Sequence, residues 1–203
     1  MSPAPPVTAR GQRTREGVLG GAREVFEQRG FNATRMNDIA DAAGVSHGTV
    51  YTYFASKEDV LRELVDAIAA EVVAAVRVPD EVVDPYARID AANRRYLSAY
   101  ARHHRMLEVV GEVAGADPYY ADLLARLRAG LTRRAADGIR RLQREGRADP
   151  LLDPDTTAPL LCGMVEALAA RSDSTAPPDA ALATLTRLWA QAIGLPHASA
   201  PAP

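Results

Sequence analysis

Apolar side chains in this 203-residue chain recur at helical spacing over most of its length, and no stretch sustains period-two alternation. The pattern predicts an all-α fold of about nine helices. Val18, Ala22, Val25 and Phe26 share one helical face and are followed by Gly30, which predicts a first helix over residues 13–29. A short second helix is expected over 36–43, before Gly44, and a third from Ser46, a good N-cap, to about Tyr53. Ser56 would cap a fourth, with Glu58 and Asp59 in its first turn where acids favour the positive end of the dipole. Its stripe of Leu61, Leu64, Val65 and Ile68 can extend to about Arg77.

The segment VPDEVVDP, carrying Pro79 and Pro85, then breaks the pattern and is the expected boundary between a small N-terminal domain and a larger helical body. In the body one helix carries Tyr86, Ile89, Tyr96, Leu97 and Tyr100, and a further helix is expected around Met106, Leu107, Val110 and Val113. Asp117-Pro118, an N-cap followed by an N1 proline, opens a long helix with Leu124, Leu127, Leu131, Ala135, Ile139 and Leu142 on one face, ending at Gly146. Two last helices are expected at roughly 156–171 and 179–193, with Pro159 either in the opening turn of the first or kinking it. The division is then an arm over 1–10, a small domain over 11–57, a linking helix over 58–78, a body over 79–195 and a tail over 196–203. The arm and tail lack periodicity and are expected to be disordered.

Composition narrows the class. No apolar run approaches the 18 or more residues of a membrane span, and the start has neither a basic nor an apolar leader region, so a cytoplasmic protein is expected. Cys162, the one cysteine, sits among apolar residues in LLCGMVEAL and reads as a core thiol. The net charge of −2 is uneven: residues 1–57 carry seven basic and five acidic side chains, and the remainder is acidic on balance. Arg10, Arg13 and Arg15 are read as a basic arm ahead of the first helix. Of the 24 basic residues only Lys57 is a lysine.

Residues 30–57 carry specific chemistry. Two short helices separated by AAGVS, with glycine in the turn, have the layout of a helix-turn-helix over about 35–54. Ile39, Ala43, Val45, Val50 and Phe54 supply the contacts between them. Ser46, His47, Gly48 and Thr49 form the first turn of the second helix, whose end can approach phosphate or enter a major groove. His47 and Thr49 offer hydrogen-bonding groups to base edges, Tyr51 and Tyr53 offer hydroxyls to phosphates and ring faces to thymine methyls, and Thr52 is a further contact. Lys57, at the start of the next helix, is expected to anchor a phosphate.

The run GFNATRMNDIADAAGVSHGTVYTYFASKEDVL, residues 30–61, resembles the N-terminal domain of TetR-family transcriptional regulators, and the likeness continues back through AREVFEQRG. It covers about 45 residues without a gap. The resemblance implies that His47, Gly48, Thr49, Tyr51, Thr52 and Tyr53 lie on a recognition helix, that Lys57 binds phosphate, and that Thr34 and Arg35 start the preceding helix, which also meets the DNA backbone. Arg35 stands where many members have Thr or Ser, so either Thr34 takes over the cap or the cap is lost. His47 falls at a variable position and is the candidate for sequence discrimination.

Beyond residue 77 the resemblance weakens and implies a helical effector-binding and dimerising body. Tyr96, Tyr100, His103, His104, Met106, Val110, Tyr120 and Met164 are candidates for a pocket suited to a lipophilic or aromatic effector. Leu160, Met164, Leu168, Leu182, Leu185 and Trp189 are candidates for an isologous dimer interface. His103 and His104 point about 100° apart on a helix and do not make a metal pair, so no metal or other cofactor is expected. No phosphate loop or nucleophile elbow supports an enzyme. The expected function is a homodimeric, ligand-responsive regulator binding a pseudo-palindromic duplex operator, most simply as a repressor. The alternatives are an activator and a sequence-tolerant DNA-binding protein.

Overall fold

A computed structural model describes residues 8–171 and 177–195. Among these residues there are eight helices and no strand: α1 (Ala9–Ala33), α2 (Met36–Ala42), α3 (His47–Tyr53), α4 (Lys57–Ala75), α5 (Pro85–Ala114), α6 (Pro118–Arg144), α7 (Pro154–Arg171) and α8 (Asp179–Ala192). The expectations of disorder at residues 1–7 and 196–203 lie outside the described residues.

Helix α1 begins earlier than expected because Thr8 caps it, accepting from Gly11 N at 3.2 Å. Arg10 is therefore helical along with Arg13 and Arg15, and Arg15 is paired through both guanidinium nitrogens with Glu63 while lying 5.0 Å over the Phe54 ring. The helix breaks at Gly30, whose φ of 75° suits a residue without Cβ.

A single α5 replaces the two helices expected between Tyr86 and Val113, which accounts for eight helices instead of nine. Buried His103 keeps the stripe going between Leu97 and Met106, so the inward face never breaks. Asp117 opens α6 by accepting from Tyr119 N at 2.9 Å, and Pro159 lies inside α7, whose N-terminus is capped by Asp153 accepting from Thr156 N at 3.0 Å.

The helices form two compact units. One holds the residues up to Ala69 together with Arg105–Leu123; the other holds Ala70–His104 and the chain from Leu124 on. The division falls within α4, α5 and α6 rather than at the loop around Pro79. The first unit buries Val18, Phe26, Ile39, Val50, Phe54 and Leu61, among others, and takes in Met106, Val110 and Tyr120 from α5 and α6. The second is organised by a cluster that includes Leu97, Ile139, Leu161, Val165, Leu182, Leu185 and Trp189.

Adjacent glycines in α1 have opposite roles. A Cβ on Gly21 would stand 2.7 Å from Ala43 N and 3.0 Å from Ala42 C, so the backbone leaving α2 touches α1 there. A Cβ on exposed Gly20 would meet nothing within 4 Å. Gly21→Ala is expected to destabilise the protein by about 1–3 kcal/mol through overpacking. Gly20→Ala should stabilise it by about 0.5–1 kcal/mol by raising helix propensity. Denaturant unfolding of the two variants tests the pair, and equal effects would contradict the close approach.

Candidate nucleic-acid interface and ligand cavity

The helix-turn-helix is set by its turn. Helix α2 closes with Gly44 at φ +65°, and Val45 N donates to Ala40 O at 3.0 Å. Ser46 then caps α3, accepting from Thr49 N at 3.2 Å, with the two hydroxyls 2.8 Å apart. Val50 and Phe54 are buried, and this fixes the opposite arc outward: His47, Gly48, Tyr51 and Thr52 are all exposed, Tyr51 at 51%. Those four positions span roughly 140° of helix circumference. Thr52 uses its hydroxyl proton on Gly48 O at 3.0 Å, leaving oxygen lone pairs outward. Tyr53 and Thr49 are half-buried on the flanks of this face.

Two expected contacts have other partners. Thr34 is 1% exposed, and its hydroxyl donates to Gly30 O at 2.7 Å, so it neither caps α2 nor reaches a ligand. The cap is supplied from the other side: Asp38 accepts from Arg35 N at 2.8 Å and also pairs with Arg29 at 3.0 Å. That leaves the Arg35 side chain exposed.

Lys57 is the second. Its ammonium donates to Phe31 O at 2.8 Å and Thr34 O at 3.0 Å, has Asn32 O at 3.5 Å, and lies 4.4 Å from the centre of the Phe31 ring. Three carbonyls of the α1–α2 connection thus converge on one nitrogen at the first turn of α4. A tetrahedral ammonium has three donors to match them; a planar guanidinium spreads its donors in one plane. Lys57 ties the end of α1 to the start of α4, with its donors taken up here by backbone carbonyls.

In the second unit, a cavity of about 760 Å³ is bounded by α5, α6, α7, α8 and the 76–83 segment. Its lining includes Ile89, Asn93, Tyr96, Leu131, Ile139, Cys162, Val165 and Trp189, with arginines at exposed positions. Of the residues expected in a pocket, Tyr96 alone lines it. Met106, Val110 and Tyr120 are core residues of the other unit, where half-buried Tyr119 donates its hydroxyl to Asp66 at 2.7 Å. His103 is buried beside Glu71 at 3.0 Å, Tyr100 packs between the rings of Tyr96 and His104, and Met164 packs on the apolar cluster.

Burial pushes the Tyr96 phenol and the Cys162 thiol up from their ordinary values, so both stay protonated at neutral pH. Asn93 is the member that sequence reasoning missed. Its signal was a polar residue one turn from both Ile89 and Leu97 on an otherwise apolar face.

Among the interface candidates, Leu182, Leu185 and Trp189 are at most 8% exposed and belong to the intrachain cluster, while Met164 and Leu168 pack against it. The Trp189 indole N–H donates to Leu161 O at 3.2 Å across the α7–α8 contact. Leu160, at 69%, remains exposed, and so does Leu188, at 48%, which the sequence pattern did not single out.

Residues 18–64 match the family described as "Bacterial regulatory proteins, tetR family". That stretch runs from α1 into α4 and takes in the whole helix-turn-helix. Over 94 residues it is 32% identical to the transcriptional repressor KstR2 of Mycobacterium tuberculosis H37Rv, a match spanning 46% of this chain and 47% of KstR2. It therefore matches only about half the length of that relative. The regulator EthR of Mycolicibacterium smegmatis is 27% identical over 183 residues, covering 87% of this chain and 84% of EthR. Among solved structures, GusR of Salmonella enterica superposes with a TM-score of 0.73 at 21% identity, covering 92% of this chain and 98% of GusR. The chain shares the fold of that protein over nearly its whole length.

Proposed function

We propose that the chain is a sequence-specific DNA-binding transcriptional regulator of the TetR family, a repressor working in the cytoplasm as a homodimer and released by a small ligand. The observation that carries the reading is the outward arc of α3, where His47, Gly48, Tyr51 and Thr52 project from a helix capped by Ser46 and backed by buried Val50. A helix so presented fits a major groove, and its side chains combine base-edge and phosphate contacts. Arg35 is a further phosphate contact in this reading, and Thr49 and Tyr53 act from the flanks. KstR2 is named a repressor, which favours that sense of regulation here. No described helix is long and apolar enough to cross a membrane.

The small N-terminal domain over 11–57 is the DNA-reading part, and the later helices form the ligand-binding and dimerising body. Helix α4 has residues in both compact units, so a ligand that favours one arrangement of its C-terminal turns would shift the population of operator-competent dimers.

Selection of genomic fragments by the purified protein, followed by sequencing, should enrich a pseudo-palindrome; equal recovery of all fragments would remove the proposal. Within the enriched site, His47→Ala is expected to change which base is preferred, by about 1–3 kcal/mol of discrimination at one position of each half-site. Selection from randomised duplexes measures this. An unchanged preference with uniformly weaker binding would make His47 a backbone contact instead.

A further inference from the structure

We propose that the cavity of the second unit binds an amphipathic carboxylate, an apolar small molecule carrying an oxygen acceptor along its body and a carboxylate at one end. The proposal deepens the reading of the chain as a ligand-responsive regulator, and rests on that reading for its regulatory meaning.

Three observations lead to this chemistry. The floor is apolar: Ile139, Val165, Trp189 and Ile193 are each less than 9% exposed and line the cavity. Into this surface projects Asn93, 6% exposed, whose Nδ2 has no hydrogen-bond partner among the described residues. An unmet buried amide donor costs roughly 1–3 kcal/mol, and a ligand oxygen accepting from it would recover that cost. Other polar groups nearby are already engaged or held neutral. The Trp189 N–H is on Leu161 O, burial keeps the Tyr96 phenol protonated, and Glu166 takes two bonds from Arg128 at 3.1 and 3.0 Å.

The third observation is charge. Five arginines line the cavity (Arg77, Arg88, Arg134, Arg141 and Arg147) against four carboxylates. Glu166 is neutralised from outside the lining by Arg128, and Asp137 shares Arg140 with Asp155, at 3.0 and 2.5 Å. Arg88 is occupied by Pro79 O and Val82 O, each at 3.0 Å, Arg134 by Val73 O at 3.0 Å, and Arg141 stands 3.9 Å from Glu145. Arg77 and Arg147 have no carboxylate partner among the described residues and both are exposed. The balance around the opening is positive, and a carboxylate there is attracted while an ammonium is repelled. The volume of about 760 Å³ lies within the range of small-molecule sites.

The chain carries its own reporters. Trp189 is the only tryptophan and Cys162 the only cysteine, and both line the cavity. The full-length protein, without DNA, would be titrated with decanoic acid, a series of oxodecanoic acids differing in keto position, the methyl esters of all of them, and decylamine. Saturable change in Trp189 emission and protection of Cys162 from a maleimide are read together. The acids are expected to bind at least about tenfold more tightly than esters or amine. One oxo acid is expected to exceed decanoate by about tenfold, the worth of one recovered hydrogen bond. Asn93→Leu should erase that gain while leaving decanoate binding intact, and Arg77→Gln with Arg147→Gln should weaken all acids alike. Thermal unfolding of the variants confirms that they are folded. The proposal is overturned if esters or amine bind as well as the acids, if no acid gives both signals, or if Asn93→Leu keeps the preference for an oxo acid. Operator binding is measured separately: acid binding without any operator would sustain this inference and sink the regulator reading, and the reverse result would do the opposite.

Discussion

Lys57→Ala is expected to lower the unfolding free energy of the DNA-free protein by about 2 kcal/mol, the scale of hydrogen bonds from a charged donor after allowance for partial exposure. In a chain of this size that corresponds to a fall in Tm of about 4–8 °C. The cause is the convergence of Phe31 O, Asn32 O and Thr34 O on one ammonium, which ties the end of α1 to the start of α4. Lys57→Arg should recover only part of the loss, because a planar fork cannot direct donors at three carbonyls around a single point.

The same variant separates this role from a phosphate contact. A lysine on phosphate, once removed, flattens the dependence of log affinity on log salt by about 0.9 per contact and leaves the free protein's stability nearly unchanged. Here the slope of operator binding should stay that of the unsubstituted protein at temperatures where the variant is folded, while Tm falls. A flattened slope with an unchanged Tm would return Lys57 to the phosphate. The single lysine in a chain that otherwise writes its positive charge as arginine is explained by the geometry of its acceptors, since charge alone would be served by either residue.

Lys57 also marks the limit of what sequence can tell. The turn residues Gly30, Gly44 and Gly146 were legible as helix ends because each carries a positive φ that other residues adopt poorly. The outward face of α3 was legible because buried Val50 and Phe54 fix the rotation of a short helix. The acceptors of Lys57 were not, since they lie 23 to 26 residues earlier and are backbone atoms that leave no trace in side-chain pattern. Thr34 misled for a related reason: the Thr-Arg pair before α2 looked like a cap, and the cap came from Asp38 three residues on.

In the body, ambiguity came from helices with two apolar faces. Helix α8 carries Leu182, Leu185 and Trp189 on one face and Ala180, Thr184 and Leu188 on another, and periodicity does not say which is folded inward. The larger side chains went to the intrachain cluster. The cavity escaped for a different reason. Aromatic and histidine positions near the middle of α5 attracted attention, whereas its floor is marked by one misplaced asparagine.

In the homodimer proposed above, the inward choice of Leu182, Leu185 and Trp189 leaves the outer faces of α7 and α8 for the interface. Leu160 on α7 and Leu188 on α8 are exposed at 69% and 48%. On α7 the same outer face continues through exposed Gly163 and Ala167, small residues that let another helix approach closely. Two such α-hairpins packed by a two-fold axis would form a four-helix bundle. Glutamate at both leucines would bury charge in that interface, so Leu160→Glu with Leu188→Glu is expected to convert a dimer into a folded monomer, read by sedimentation velocity. Because the proposed dimer would present two reading heads to two half-sites, operator affinity should fall by at least about 10²-fold, the loss of an intramolecular second contact. Trp189 emission should be unchanged, since its surroundings are intrachain. Leu185→Glu gives the contrasting result, unfolding the second unit because that side chain is only 5% exposed within it. A double variant that still sediments as a dimer, with operator affinity intact, would place the interface elsewhere on the body.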